Sequence, residues 1–355
     1  MRITFRADSS IHIGTGHIMR CLTLAHQFQN AGAAIRFICQ ETSGHLCDWI
    51  EENGFLVERL PDICDPFTDG WWEIDAEQTA DRLEKHPTDW LIVDHYAIDY
   101  RWEKKARKFV SKIMVIDDLA NRLHDCDILL DQNFYERMET RYDSLVPSHC
   151  LQLLGPHYAL LRQEFRAARK MLRKRDGRVQ RILLFFGGSD PTNETMKAVK
   201  AIECLALDDV IVDVVVGASN PHRSQISEIC RSHGNLRFHC QINNMAELMG
   251  LADLAIGAGG STTWERCALG LPAITVTTAQ NQLEVTQAIA KQGCVIHLGT
   301  HLEVSSEMIA GMLQFVLSNP GLLVAMSEAC LRLMDSTESE GIALITKAVW
   351  KGAPC

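Results

Sequence analysis

Short apolar runs alternate with amphipathic segments from one end of the chain to the other. "RITFRAD" reads as a strand. "HIMRCLTLAHQFQNAG" follows as a helix, because Ile18, Cys21, Leu22, Leu24, Ala25 and Phe28 keep helical spacing and Gly32 marks its end. "AIRFICQ", "FLVERL", "WLIVDHY", "KIMVIDD" and "CDILLDQN" read as further strands, with helices over "HLCDWIEENG" and "DYRWEKKARKFVS". The pattern then restarts. "RILLFFGG", "VIVDVVVG", "LRFHCQI", "DLAIGAGG", "PAITVTT" and "CVIHLG" are strands separated by helical stretches such as "NETMKAVKAIECL" and "NQLEVTQAIAKQG". Such alternation predicts a parallel sheet with helices on both faces, built twice.

Two stretches break the rhythm. Residues 61–76, "PDICDPFTDGWWEIDA", carry proline, glycine and paired tryptophans, which predicts a loop with some packing of its own. Its tryptophans either close over a ligand or, more simply, pack into the core. "LRQEFRAARKMLRKRDGRVQR", residues 161–181, is strongly basic and reads as a solvated helix running into a linker. Two α/β domains are therefore expected, 1–165 and 178–355, with a ligand in a cleft between them at the carboxyl ends of the strands.

Composition narrows the partners. The 355 residues carry a net charge of −10, which argues against a nucleic-acid backbone. No apolar run reaches the roughly 18 residues of a membrane span, and the opening residues read as a strand rather than a secretory leader. The 13 cysteines are scattered and form no C-x-x-C pair, so free thiols in a reducing cytoplasm are expected rather than disulfides or zinc.

Three glycine-rich strand-to-helix junctions are the candidate ligand loops. They are "GTGH" with Gly14 and Gly16, "FFGGSDPTNE" with Gly188 and Ser189, and "GAGGSTTWE" with Gly260 and Ser261. Glycines there let backbone N–H groups approach a phosphate. None reads as a Walker loop or as G-x-G-x-x-G. Glu265, one turn into the helix opened by Ser261, reaches a ribose diol or else offsets the helix dipole. Asn281 and Gln282 bond a sugar or base, or else cap the next helix.

His17 lies in the first turn of its helix, where the positive end of the dipole suits the neutral imidazole that a general base needs. It is a base or an ordinary capping histidine. Asp8, ending the preceding strand, is placed to fix its tautomer. Arg20, one turn on, is placed to bind an anionic group. Asp94, His95 and Tyr96 end one strand and Asp117 and Asp118 another, as capping or as site residues. Neither pair brings the further ligands that a metal site requires.

These residues together resemble a known family. Arg6, Asp8, Ser10, Ile13, Gly14, Gly16, His17 and Arg20 follow the R-x-D-x-S…I-G-x-G-H-x-x-R signature of the UDP-sugar hydrolases of pseudaminic-acid synthesis. "IVDHY", "IDD", "CDILLDQN", "YALLRQEF", "FFGGSD", "GGSTTWE" and "QNQ" keep the family's order. The second half also resembles the lipid-intermediate N-acetylglucosaminyltransferase. The resemblance implies two facing Rossmann-like domains, the GT-B fold, with the last helix crossing back to the first domain. It implies metal-independent, cofactor-free, inverting hydrolysis of UDP-2,4-diacetamido-2,4,6-trideoxy-β-L-altropyranose to UDP and the free sugar. It implies that His17 is the general base, that Tyr96 lies in the sugar pocket, and that Glu265 binds ribose. It further implies that Asn281 lies near the site, that Gly188 and Ser189 contact the diphosphate, and, more weakly, that Arg162 takes part. The loop "DPFTDGWWEIDA" stands outside the signature.

Three rivals keep parts of this reading. A GT-B transferase would use an acceptor in place of water, and the basic 161–181 stretch would then be a docking patch. A non-catalytic nucleotide-sugar binder would have no need of a base beside Asp8 and Arg20. A hydrolase for a related UDP-diacetamido sugar would share the signature. Oligomeric state is left open by the sequence.

Overall fold

A computed structural model describes residues 1–11, 13–63, 68, 70–334 and 340–352. The chain divides into two compact units, Met1–Leu160 with Ser339–Cys355, and Leu161–Glu338.

The first unit carries β1 (Arg2–Ala7), α1 (Gly16–Asn30), β2 (Ala34–Gln40), α2 (Cys47–Glu52), β3 (Leu56–Leu60), α3 (Trp71–Lys85), β4 (Thr88–Asp94), α4 (Tyr100–Ala106), β5 (Val110–Ile116), β6 (Ile128–Asp131) and β7 (Leu151–Leu154). Its sheet is wholly parallel in the order β3-β2-β1-β4-β5-β6-β7. The order reverses between β1 and β4, which makes the carboxyl ends of these two strands the topological switch point. Phe5, Phe28 and Phe37 fill one face of the sheet, and Trp102, Leu91, Val93 and Val115 the other. Burying each such side chain contributes about 1.5–3 kcal/mol.

The second unit carries α5 (Gln163–Arg169), β8 (Arg181–Phe185), α6 (Glu194–Cys204), β9 (Ile211–Val216), α7 (Arg223–Ser232), β10 (Leu236–Cys240), α8 (Met245–Leu251), β11 (Leu254–Ala258), α9 (Thr262–Ala268), β12 (Ala273–Thr277), α10 (Leu283–Lys291), β13 (Val295–Thr300), α11 (Ser306–Leu317) and α12 (Pro320–Leu333). Its parallel sheet runs β10-β9-β8-β11-β12-β13. Here the switch point lies between β8 and β11. The last helix, α13 (Glu340–Lys351), belongs to the first unit, where Ile342, Ile345 and Val349 join the cluster of Phe5 and Phe28.

Three local expectations change. Of the stretch 61–76, residues 64–67 and 69 lie outside the described residues, and "WWEIDA" opens α3 instead of closing a loop. Trp71, Asp75, Ala76, Thr79 and Leu83 form its buried stripe, and Trp71 stacks on His95 with ring centroids 4.9 Å apart. The basic stretch is a short helix, α5, running into a linker as expected, with Lys170, Arg173, Lys174 and Arg178 exposed, but not all of its arginines face solvent. Arg175 is buried and donates to the carbonyls of Met249, Ala252, Leu269 and Gly270. Arg173 and Arg169 reach Gly250, Leu251 and Ala268 in the same way. Cations here meet the partial negative charge at the carboxyl ends of α8 and α9. The third change is shorter: β7, α11 and α12 stand in stretches left unassigned above, although Ile309, Leu313 and Val316 of α11 keep helical spacing. Among the described residues no single helix is long and apolar enough to cross a membrane.

Candidate functional site

In the first unit the site grows from the β1/β4 switch point. The β1–α1 loop turns at Gly14, whose φ of +79° is left-handed and whose N–H donates to the Ser10 carbonyl at 2.8 Å. Gly16 then opens α1 and delivers His17 and Arg20, both buried. Asp94 is the last residue of β4 and sits in register with Ala7 of β1.

Asp94 binds the two α1 side chains together. Its Oδ1 meets His17 Nδ1 at 2.5 Å and accepts from Arg20 Nη2 at 2.6 Å, while Oδ2 accepts from Arg20 Nε at 2.6 Å. Burial works against its charge, but Arg20 and then His17 outweigh it and hold Asp94 well below the usual carboxylate range. A carboxylate only accepts, so Nδ1 is the donor, and in the neutral ring Nε2 is the atom with the lone pair. Among the described residues Nε2 takes no hydrogen-bond partner. The Tyr96 ring meets His17 edge-on, centroids 4.5 Å apart. Burial, and after it Asp118, pushes the Tyr96 phenol up, so it keeps its proton and serves as a donor.

The carboxylate on His17 is therefore Asp94, not Asp8. Asp8 accepts from Arg6 Nη1 at 2.6 Å and from the Gln40 N–H at 2.7 Å, and its other oxygen lies 3.4 Å from His95 Nε2. Arg6 also pairs with Asp75, which receives Trp102 Nε1 at 2.8 Å. This second buried network braces β1, β2, α3 and α4 behind the site. Arg20 is equally committed, spanning Asp94 and, through Nη1 at 3.0 Å, Asp118. Its place is to hold carboxylates rather than to wait for an anion.

In the second unit the predicted residues follow the strands at its switch point. Gly188 and Ser189 follow β8, Gly260, Ser261 and Glu265 follow β11, and Asn281 and Gln282 follow β12. Backbones crowd here. A Cβ on Gly217 would lie 2.2 Å from the Gly188 carbonyl oxygen, so the turn after β9 presses directly on the Gly188 loop. Asp190 takes the Glu194 and Thr195 N–H groups, both at 2.9 Å, so the first turn of α6 is already capped. Glu265 accepts from Arg162 Nε at 2.9 Å, and Arg162 also pairs with Glu164 at 2.8 Å. Gln282 accepts from the N–H and hydroxyl of Thr278, at 3.1 and 3.2 Å, which closes its own turn. Asn281 is exposed in the 3-10 turn Gln280–Gln282.

One group missed by the sequence reading could hold a metal. Cys267, Cys294 and Cys330 are buried with their sulfurs within 4.8 Å of one another. Three thiols are one short of a structural zinc set.

Comparison with known proteins bears on the family and the fold. Residues 182–334 match the glycosyltransferase family 28 C-terminal domain. The UDP-2,4-diacetamido-2,4,6-trideoxy-beta-L-altropyranose hydrolase of Campylobacter jejuni is 28% identical, over 82% of this chain and 97% of its own length. The uncharacterized protein MJ1062 of Methanocaldococcus jannaschii is 26% identical over 84% of this chain, which spans only 60% of that relative's length. The crystal structure of Acinetobacter baumannii MurG superposes with a TM-score of 0.65, covering 99% of each chain at 13% identity, which is a likeness of fold. The chain thus has two Rossmann-like domains of the GT-B fold, its residues 182–334 are similar to the family 28 C-terminal domain, and it is related along most of its length to a UDP-sugar hydrolase, as its motifs predicted.

Proposed function

We propose that this chain hydrolyses UDP-2,4-diacetamido-2,4,6-trideoxy-β-L-altropyranose, releasing UDP and the free sugar with inversion at the anomeric carbon. The observation that carries the reading is the Asp94–His17 pair, with Nδ1 committed to the carboxylate and Nε2 open. His17 Nε2 takes a proton from water as the water oxygen bonds to the anomeric carbon. The bond from that carbon to the diphosphate oxygen breaks, and the electron pair leaves with UDP. Asp94 stabilises the imidazolium as it forms.

UDP is a good leaving group, so the remaining task is to steady the charge that gathers on the diphosphate. The Gly188–Ser189 and Gly260–Ser261 amides serve for this, and Glu265 binds the ribose once it turns from Arg162. Tyr96, an un-ionised phenol beside His17, donates to the sugar. Asn281 lies at the rim. The C. jejuni relative carries the named activity. A GT-B transferase is the second reading, favoured by the family 28 match. It differs only in what His17 deprotonates.

The test is incubation of the pure protein with this sugar nucleotide in EDTA, without acceptor, following UDP and free sugar by NMR. Both products should appear, and His17→Gln should abolish them. Bound UDP without turnover would favour the transferase. Dependence on added metal would sink the metal-free mechanism.

A further inference from the structure

Arg20 joins two carboxylates, and only Asp94 has a task in the preceding reading. Asp118 follows β5 directly after Asp117, and the two differ sharply. Asp117 is consumed by its surroundings. It accepts from the Ala120 N–H at 2.9 Å and the Tyr142 hydroxyl at 3.0 Å, and it pairs with Arg122 at 2.8 Å. Asp118 accepts from Arg20 Nη1 through Oδ2, and its carboxylate also takes the Tyr96 hydroxyl. Its side chain is only 11% exposed, and its Oδ1 is buried with no hydrogen-bond partner among the described residues.

Asp118 also stands beside the reacting group. The Tyr96 hydroxyl feels its charge, and the Tyr96 ring lies on His17. Arg20 touches Asp118, Asp94 and the edge of His17. A buried anionic oxygen without a donor is costly, and a ligand that brings a donor removes that cost. A carboxylate can only accept, so it rewards an N–H or O–H and repels a carbonyl or another carboxylate.

We propose that Asp118 is a specificity-determining residue whose Oδ1 accepts a hydrogen bond from one N–H or O–H on the sugar ring of the nucleotide sugar. The inference rests on the hydrolase reading for the presence of that sugar at His17. It makes the site selective for a sugar with a donor near the reacting carbon, and against a uronic acid or keto sugar there.

The experiment crosses enzyme variants with substrate analogues. Wild type and Asp118→Asn are assayed on the parent sugar nucleotide and on analogues lacking one donor each, an acetamido N–H replaced by an ester oxygen or a ring hydroxyl by hydrogen. One analogue should cost wild type about 10- to 100-fold in kcat/KM, the worth of one charged hydrogen bond. Asp118→Asn should lose a similar factor on the parent and nothing further on that analogue. If the two losses multiply for every analogue, Asp118 only positions Arg20 and the proposal is overturned. Should the variant not fold, wild type alone decides, because analogues that all bind as tightly as the parent in calorimetry refute it. The calorimetric Kd values also separate the two readings. If the wild type fails to hydrolyse the parent, the hydrolase is lost, while a binding penalty confined to one analogue still supports Asp118.

Discussion

The two switch points of this chain are built from the same strand order and furnished in opposite ways. At β1/β4, buried charged side chains interlock. Asp94 holds His17 and Arg20, and Arg20 holds Asp118. At β8/β11, backbone does the work. Gly217 admits the Gly188 carbonyl at a distance no side chain would allow, and the polar side chains mostly cap their own turns. Proton transfer needs one atom held at one orientation, which ion pairs in a dry interior supply. Binding a diphosphate needs several N–H groups close together, which only bare backbone supplies. The contrast predicts that damage in the first unit appears in the chemical step and damage in the second in nucleotide affinity.

The largest effect is expected at His17. His17→Gln should lower kcat by about 10²- to 10⁴-fold, the usual worth of a general base, with UDP affinity by calorimetry unchanged. A loss of UDP binding instead would erase the division of labour. Asp94→Asn goes further into the fold. It leaves the buried Arg20 short of a charge partner and should cost roughly 3–5 kcal/mol of stability, read as a drop in the urea midpoint beyond that of His17→Gln. Equal midpoints would mean that Arg20 is satisfied by Asp118 alone.

Gly217→Ala tests the other side. The added Cβ meets the Gly188 carbonyl oxygen at 2.2 Å and its Cα at 2.7 Å, so the loop itself must shift. UDP affinity should weaken roughly tenfold to a hundredfold while kcat at saturation stays near wild type. A changed kcat with intact affinity would remove the Gly188 loop from the nucleotide site.

The same contrast explains what was legible in the sequence. Both sheets apart from β7, and the strand ends that carry the proposed residues, follow from apolar periodicity and glycine punctuation, which are local signals. Asp94 was visible as a strand-end acid, but its pairing with His17 was not. Asp8 is nine residues from His17 and Asp94 is 77, yet parallel pairing of β1 with β4 sets Asp94 against α1, while the Asp8 side chain turns to Arg6. In the basic 161–181 stretch the helix and linker were legible, but the anchoring of its arginines was hidden for a related reason. Its arginines meet carbonyls about 75 to 100 residues away, and no charge pattern announces a helix end as the partner. Trp71 gave the reverse case. Loop-like neighbours hid a helix whose stripe of Trp71, Ala76, Thr79 and Leu83 was present all along.

The smallest effect sharpens the electrostatics behind the first switch point. Asp131, at the end of β6, accepts from the Asn133 N–H at 2.9 Å and lies 3.0 Å from the oxygen of the Tyr142 hydroxyl, whose proton goes to Asp117. Burial first, and then the charge of Asp118, push its carboxyl up to about 8. The folded protein therefore keeps this proton to about pH 8, whereas an unfolded aspartate releases it near pH 4. Its contribution to stability is complete below about pH 4, declines as pH rises, and is gone above about pH 8, by at most about 1.4 kcal/mol per pH unit. Asp94 and Asp8 run the other way, since their lowered carboxyls lose stability only as the solution turns strongly acidic. Over about pH 5 to 8 Asp131 thus adds a falling slope of its own, beside the contributions of Glu164, Asp190, Glu194 and His297. Asp131→Asn should flatten it, with the variant gaining on wild type in urea midpoint as pH rises. Parallel curves for the two proteins would show that Asp131 is already ionised at neutral pH, and that the first unit tolerates three adjacent carboxylates through Arg20, Arg122 and Arg141 alone.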